Sequence, residues 1–255
     1  MSRCLCFRRH VVLEHGEIAH GYHVAGCWLC SDCARRHCGA RATASELLAL
    51  STEYGLVANR GVALICLGWN LGQTKDIGEG LRYLEQGLAT RIQLGLRSLL
   101  PFSICLLAET YFRAQHYAKA VEQVDLALAA SSEIGDQWFL PRIHMLHAQL
   151  LQEQACPNVD AAEASLRIAI DVARAQCAKG WELRATILLA SLWRDQGKRT
   201  EARDLLSPIY GWFTEGFANV SGTAVRDRDA PAGDFVPRKN QKPKSDLTIN
   251  ALGPL

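Results

Sequence analysis

The 255-residue chain is 49% hydrophobic and 21% charged, with 28 Lys+Arg against 26 Asp+Glu. That is ample apolar material for one large core or one helical array, and too much for a wholly disordered protein. Residues 1–41 carry net +3, residues 42–217 net −3 and residues 218–255 net +2, and the slightly acidic body argues against nucleic-acid binding, which calls for a basic face.

The head, residues 1–41, holds six of the ten cysteines. No uninterrupted apolar segment follows Arg3, Arg8 and Arg9 before Glu14 and Glu17, which argues against a signal peptide. Cys27, Cys30, Cys33 and Cys38, with His20 and His23 nearby, form the one metal-like cluster. C-x2-C spacing suits tetrahedral zinc because two thiolates can point inward from one turn. A second C-x2-C at the usual distance is missing, so a degenerate helix pair with incidental cysteines is the plainer reading. No cofactor is expected.

From about residue 42 the pattern becomes helical. Apolar residues recur every three or four positions, as in Leu81, Leu84, Leu88 and Ile92. Ala44, Leu48 and Ser51 read as the second helix of an incomplete pair. Four full pairs follow. Their first helices share a large-small step, at Leu67-Gly68, Leu107-Ala108, His147-Ala148 and Leu189-Ala190. Their second helices carry small residues at Gly80 and Gly87, Ala120 and Ala127, Ala162 and Ala169, and Ala202. Small residues let two backbones approach, and large ones fill the space between neighbouring pairs. One pair cannot bury its face alone, so pairs must stack. Gly55, Gly95 and Gly135 recur at the ends of second helices, where a left-handed residue is wanted. Asp160 is the expected N-cap after the long turn of the third pair. Cys66, Cys105, Cys156 and Cys177 sit singly in helical patterns and read as reduced core cysteines of a cytoplasmic protein. The apolar runs at 62–71 and 99–107 are far short of the ~20 residues a membrane span needs.

The pattern predicts an all-α fold, a right-handed superhelix of stacked antiparallel helix pairs over 42–217. A poorly defined head (1–41) precedes it, and a disordered tail (218–255) rich in Pro, Lys and Asp follows.

The stretch from Trp181 to Phe217, with Leu189-Ala-Ser-Leu-Trp193-Arg-Asp-Gln-Gly197-Lys-Arg-Thr-Glu-Ala202, is distinctive. It resembles the C-terminal tetratricopeptide-like repeats of large bacterial regulators that carry an adenylate/guanylate cyclase or DNA-binding domain and a STAND-type ATPase module. The resemblance spans about 42–217 and is strongest over 160–217. It implies a sensing or relaying arm attached to a catalytic or switching domain. The chain has no G-x4-G-K-[ST] phosphate loop and no room for a cyclase domain, so none of that family's catalytic residues maps here. After Phe217 the family's Asp-rich helix is replaced by a Pro-bearing tail, as a truncated or frame-shifted gene would produce.

No Ser/His/Asp or Cys/His catalytic constellation stands out, and a non-enzymatic protein is expected. His144 and His147 lie one turn apart, where packed histidines are expected. In stacked pairs the first helices line a groove. The register assigns Trp69, Glu109, Arg113, Arg142, Gln149, Gln152, Arg184 and Arg194 to it. Its arginines would fork onto carboxylates of a protein or peptide partner, with neither nucleic acid nor membrane involved.

Overall fold

Small side chains set how closely two helices approach, and this chain places them at fixed intervals. The computed structural model describes residues 37–212 except 75 and 155, without the side chains of residues 37–40. The described residues form nine α-helices and no strand. They are α1 (His37–Glu53), α2 (Val57–Gly72), α3 (Ile77–Gln93), α4 (Leu100–Arg113), α5 (Tyr117–Ile134), α6 (Leu140–Gln152), α7 (Val159–Ala175), α8 (Lys179–Asp195) and α9 (Arg199–Trp212). The chain divides into two compact units, and the division falls within α5 between Gln123 and Val124.

In the first unit α2 and α3 form an antiparallel pair, α1 packs on α2, and α4 packs on both α2 and α3. In the second unit α6 pairs with α7 and α8 with α9, while α8 also lies against α6 and α7. Within each unit the first helices of successive pairs are therefore neighbours, as the repeat requires. The expected small positions are buried, with Ala120, Ala127, Ala148, Ala162 and Ala169 wholly enclosed. Leu84, Leu106, Leu150, Leu166 and Leu189 fill the spaces left around them.

The α2–α3 pair is the tightest case. A Cβ on Gly68 would lie 2.6 Å from the Leu84 amide nitrogen and 2.7 Å from the Gly80 carbonyl oxygen. A Cβ on Gly87 would lie 2.7 Å from the Gly61 carbonyl oxygen. Backbone meets backbone at both places, so only glycine fits.

Helix exits follow the expected scheme. Gly55, Gly95 and Gly135 have φ of 68°, 68° and 75°. The amides of Leu56 and Leu96 reach back to the carbonyls of Ser51 and Arg91 at 2.8 and 2.9 Å, which satisfies carbonyls orphaned at the helix end. At the next such exit the site belongs to Cys177, with φ of 55° and the same bond from Ala178 to Ala173 at 2.8 Å. Gln115 (φ 60°) and Gly197 (φ 83°) close the turns between α4 and α5 and between α8 and α9.

Two expectations are corrected. The N-cap of α7 is Asn158, whose side chain accepts from the Ala161 amide at 3.1 Å; Asp160 stands inside the first turn instead, where its charge still suits the helix dipole. Of the four cysteines expected in the core, Cys66 and Cys105 are buried, while Cys156 and Cys177 lie in exposed inter-helix loops. Helix α1 begins at His37. Two prolines at a 40-residue interval, Pro101 and Pro141, are fully buried in the first turns of α4 and α6. That position needs no backbone donor, and the pair is a further repeat signal legible in the sequence.

Candidate functional site: the faces of the first helices

Each first helix turns one strip toward its partner, one toward its stacked neighbours and one toward solvent. The third strip is where the register assigns the candidate groove residues. The structure distributes them over two surfaces, α2 with α4 in the first unit and α6 with α8 in the second.

On the first surface little is open to a partner. Trp69 has the expected register but is only 7% exposed and belongs to the core. Glu109 is half-buried. Arg113 is exposed, yet its Nε donates to the Gly72 carbonyl at 3.0 Å and one terminal nitrogen lies 3.5 Å from the Gln73 carbonyl. Those carbonyls sit at the C-terminal end of α2, where a cation offsets the helix dipole. Arg113 thus closes a helix end.

The second surface is more open. Arg142, Gln149 and Gln152 lie half-buried on α6, and Arg184 and Arg194 half-buried on α8. Gln152 donates to the Ala148 carbonyl at 3.1 Å. The Arg184 guanidinium stands 5.1 Å from the centroid of the Trp181 ring, a cation–π arrangement. Arg194 donates twice to Asp195 Oδ1, at 3.1 and 2.9 Å.

Three carboxylates bear on these two helices, Glu182 and Asp195 within α8 and exposed Glu153 at the C-cap of α6. Glu182 is 4% exposed and accepts from Arg174 Nε at 2.9 Å and Lys179 Nζ at 2.7 Å. Burial works to raise its pKa, but the bonds from Arg174 and Lys179 outweigh it and hold the carboxyl below its ordinary value.

His144 and His147 are packed as expected. His147 Nδ1 lies 2.8 Å from Ser165 Oγ on α7. Burial pushes the His144 pKa down to about 4, helped by the neighbouring His147. Burial also lowers His147, with the Asp125 charge opposing. Ser165 is itself buried on α7, while both histidines are half-buried.

In the first unit, burial pushes the Cys66 thiol up to about 12, partly opposed by Arg91, which makes it inert as a nucleophile. Arg91 donates to the Ser98 carbonyl and Tyr111 to Glu85. An open cleft of about 590 Å³ lies between α1 and α3 over the end of α2, lined by Arg41, Leu48, Leu67, Leu71, Glu79 and Tyr83 among others. Cys27, Cys30 and Cys33, and the side chain of Cys38, lie outside the described residues. Among the described residues no group of three or more His, Cys, Asp or Glu could hold a metal. No described helix is long and apolar enough to cross a membrane.

Antiparallel pairs seated on small residues, with first helices adjacent and left-handed exits at a fixed interval, define a tetratricopeptide-like helical repeat. Known structures agree on that fold. The apo form of RapI superposes with a TM-score of 0.57 at 12% identity, covering 77% of this chain and 70% of its own. BtubC (BKLC) from P. vanneervenii superposes at 0.54 with 12% identity, over 88% of this chain and 99% of its own. A kinesin light chain of Podosopora anserina with nearly identical TPR-like repeats gives 0.51 at 18% identity, over 79% and 98%. No protein-family model matches the sequence. A curated relative, an uncharacterised protein of Rhizobium meliloti (strain 1021), is 29% identical over 125 residues. The match takes in 49% of this chain but only 12% of that protein's length.

Proposed function

We propose that the array is a non-enzymatic interaction module that takes a protein or peptide partner on the α6–α8 surface. The observation that carries this reading is the charge arrangement there. Arg142, Arg184 and Arg194 occupy adjacent first helices, while Glu182 is buried and ion-paired. Guanidinium forks of this kind match the carboxylates of a protein or peptide partner. The resemblance to cyclase- and ATPase-linked regulators supplies the wider setting, that of an arm serving a catalytic or switching domain located elsewhere. The bacterial relative, in which the matched segment is a small part of a long protein, supports that setting.

The test is capture of partners from a bacterial lysate by the purified chain and by a variant with Arg142, Arg184 and Arg194 changed to Glu. The variant is expected to lose the specific bands, and unchanged capture would sink the reading. The same preparations should neither hydrolyse ATP nor form cAMP. Either activity would contradict the non-enzymatic assignment.

A further inference from the structure

The cleft between α1 and α3 has a filled counterpart one repeat on. Gly55 and Gly95 fix the repeat at 40 residues, so each lining residue has an equivalent beside the end of α4. There Tyr111 stands in the place of Leu71, Glu85 in that of Ser45, Lys119 in that of Glu79 and Leu81 in that of Arg41. The Tyr111 hydroxyl donates to Glu85, and Lys119 Nζ lies 5.3 Å from the centroid of the Tyr111 ring. Tyr111, Leu81 and Leu88 are all buried. One aromatic ring with a bonded hydroxyl therefore fills this place in the second repeat. The first repeat lacks the ring at 71, the acceptor at 45 and the apolar cover at 41, and about 590 Å³ lies open there.

That volume is far above the water-sized voids of a packed interior and within the range of ligand pockets. Its middle is apolar, with Leu67 and Leu71 as the floor and half-buried Leu48 and Tyr83 at the sides. Its charges are separated. Arg41 stands near the start of α1 and Glu53 at its end, about 18 Å apart along the helix. Both are exposed, and neither forms an ion pair among the described residues. Glu79, at the Arg41 end, is already bonded to Arg82 at 3.2 Å. Arg41, Arg82 and Glu79 together leave that end positive, while Glu53 makes the other negative. An extended chain of about five residues spans the same length. A uniformly acidic or basic ligand would meet a like charge at one end.

We infer that the α1–α3 cleft seats a short extended peptide segment of a partner. An aromatic side chain takes the ring position against Leu48, Leu71 and Tyr83, an acidic residue on one side of it meets Arg41, and a basic residue on the other meets Glu53. This is a second site, independent of the reading given to the α6–α8 surface. The probe is a fluorescein-labelled peptide with Glu, Tyr and Lys separated by single glycines, followed by anisotropy with the full chain. Leu71→Tyr with Ser45→Glu rebuilds in the cleft the pair that Tyr111 and Glu85 form, and should weaken the peptide about tenfold or more without lowering the melting point. Changing the peptide's Tyr to Ser should cost the wild-type chain about tenfold and the rebuilt variant little. Arg41→Gln with Glu53→Gln should weaken the peptide roughly three- to tenfold and remove most of its salt dependence. Both side chains are exposed, so that variant should keep the wild-type melting point.

Failure of the peptide to bind, unaltered affinity in the rebuilt variant, or equal affinity for the Ser peptide would each overturn the inference. Should the rebuilt variant not fold, the Arg41 and Glu53 pair decides, and unaltered affinity there overturns it. The variant with Arg142, Arg184 and Arg194 changed to Glu should bind the peptide as the wild type does, so either site can fail while the other stands.

Discussion

Gly68→Ala is the sharpest test of how the first unit is built. The new methyl would sit 2.6 Å from the Leu84 nitrogen, about 0.8 Å short of ordinary contact at about 3.4 Å. The obstacle is backbone, so no rotamer change relieves it and α2 and α3 must separate. Overpacking of this kind costs about 1–3 kcal/mol, and separation also loosens the contacts of Leu84, which is almost wholly buried. Alanine returns about 0.5–1 kcal/mol as the better helix former. The net expectation is a loss of about 1–2 kcal/mol. Gly78→Ala is the matched control: it lies in the partner helix α3, but its Cβ would meet nothing within 4 Å, so it should gain up to about 0.5–1 kcal/mol. Urea titrations of both variants, followed by far-ultraviolet circular dichroism, should move the midpoint in opposite directions. Because helical arrays need not unfold in one step, hydrogen exchange of α2 and α3 amides should confirm that the loss is local to that pair. If Gly68→Ala is as stable as Gly78→Ala, the direct backbone contact is wrong.

Cys177→Gly should raise stability by up to about 1 kcal/mol, because Cys177 holds φ of 55° where glycine carries no penalty; Gly95→Ala should lose a similar amount, both read from the thermal midpoint. Glu182→Gln should cost about 1–3 kcal/mol in chemical denaturation, since it strips the charge from a buried acceptor of two charge-assisted bonds. The lowered carboxyl pKa of Glu182 adds stability that is present above its unfolded value and lost as pH falls through the folded one. His144 titrates near 4 in the fold against 6.5 when free. Between those values the unfolded chain binds the extra proton, so stability should fall as pH drops from about 6.5 towards 4, and His144→Leu should flatten that part of the pH–stability curve.

The repeat was legible because its physics is local. The steps at Gly68, Ala108, Ala148 and Ala190, and the glycines at 55, 95 and 135, impose helix contacts and helix ends that depend on residue size and backbone freedom alone. The candidate surface was legible only as register. Periodicity assigns Trp69 and Arg113 to the same strip as Arg142 and Arg184. It cannot show that Trp69 is swallowed by the core or that Arg113 reaches the end of α2, forty residues back in sequence.

The sequence by itself determined an all-α stack of helix pairs and the spacing of its seams, because those follow from where small residues and left-handed turns fall. Tertiary structure alone decided which of the candidate side chains are buried or paired. That depends on pairings between residues of different helices, such as Glu182 with Arg174 and Gln176 with Gln137. It also depends on the burial that separates exposed Trp138 from hidden Trp69, which no single helix's period encodes.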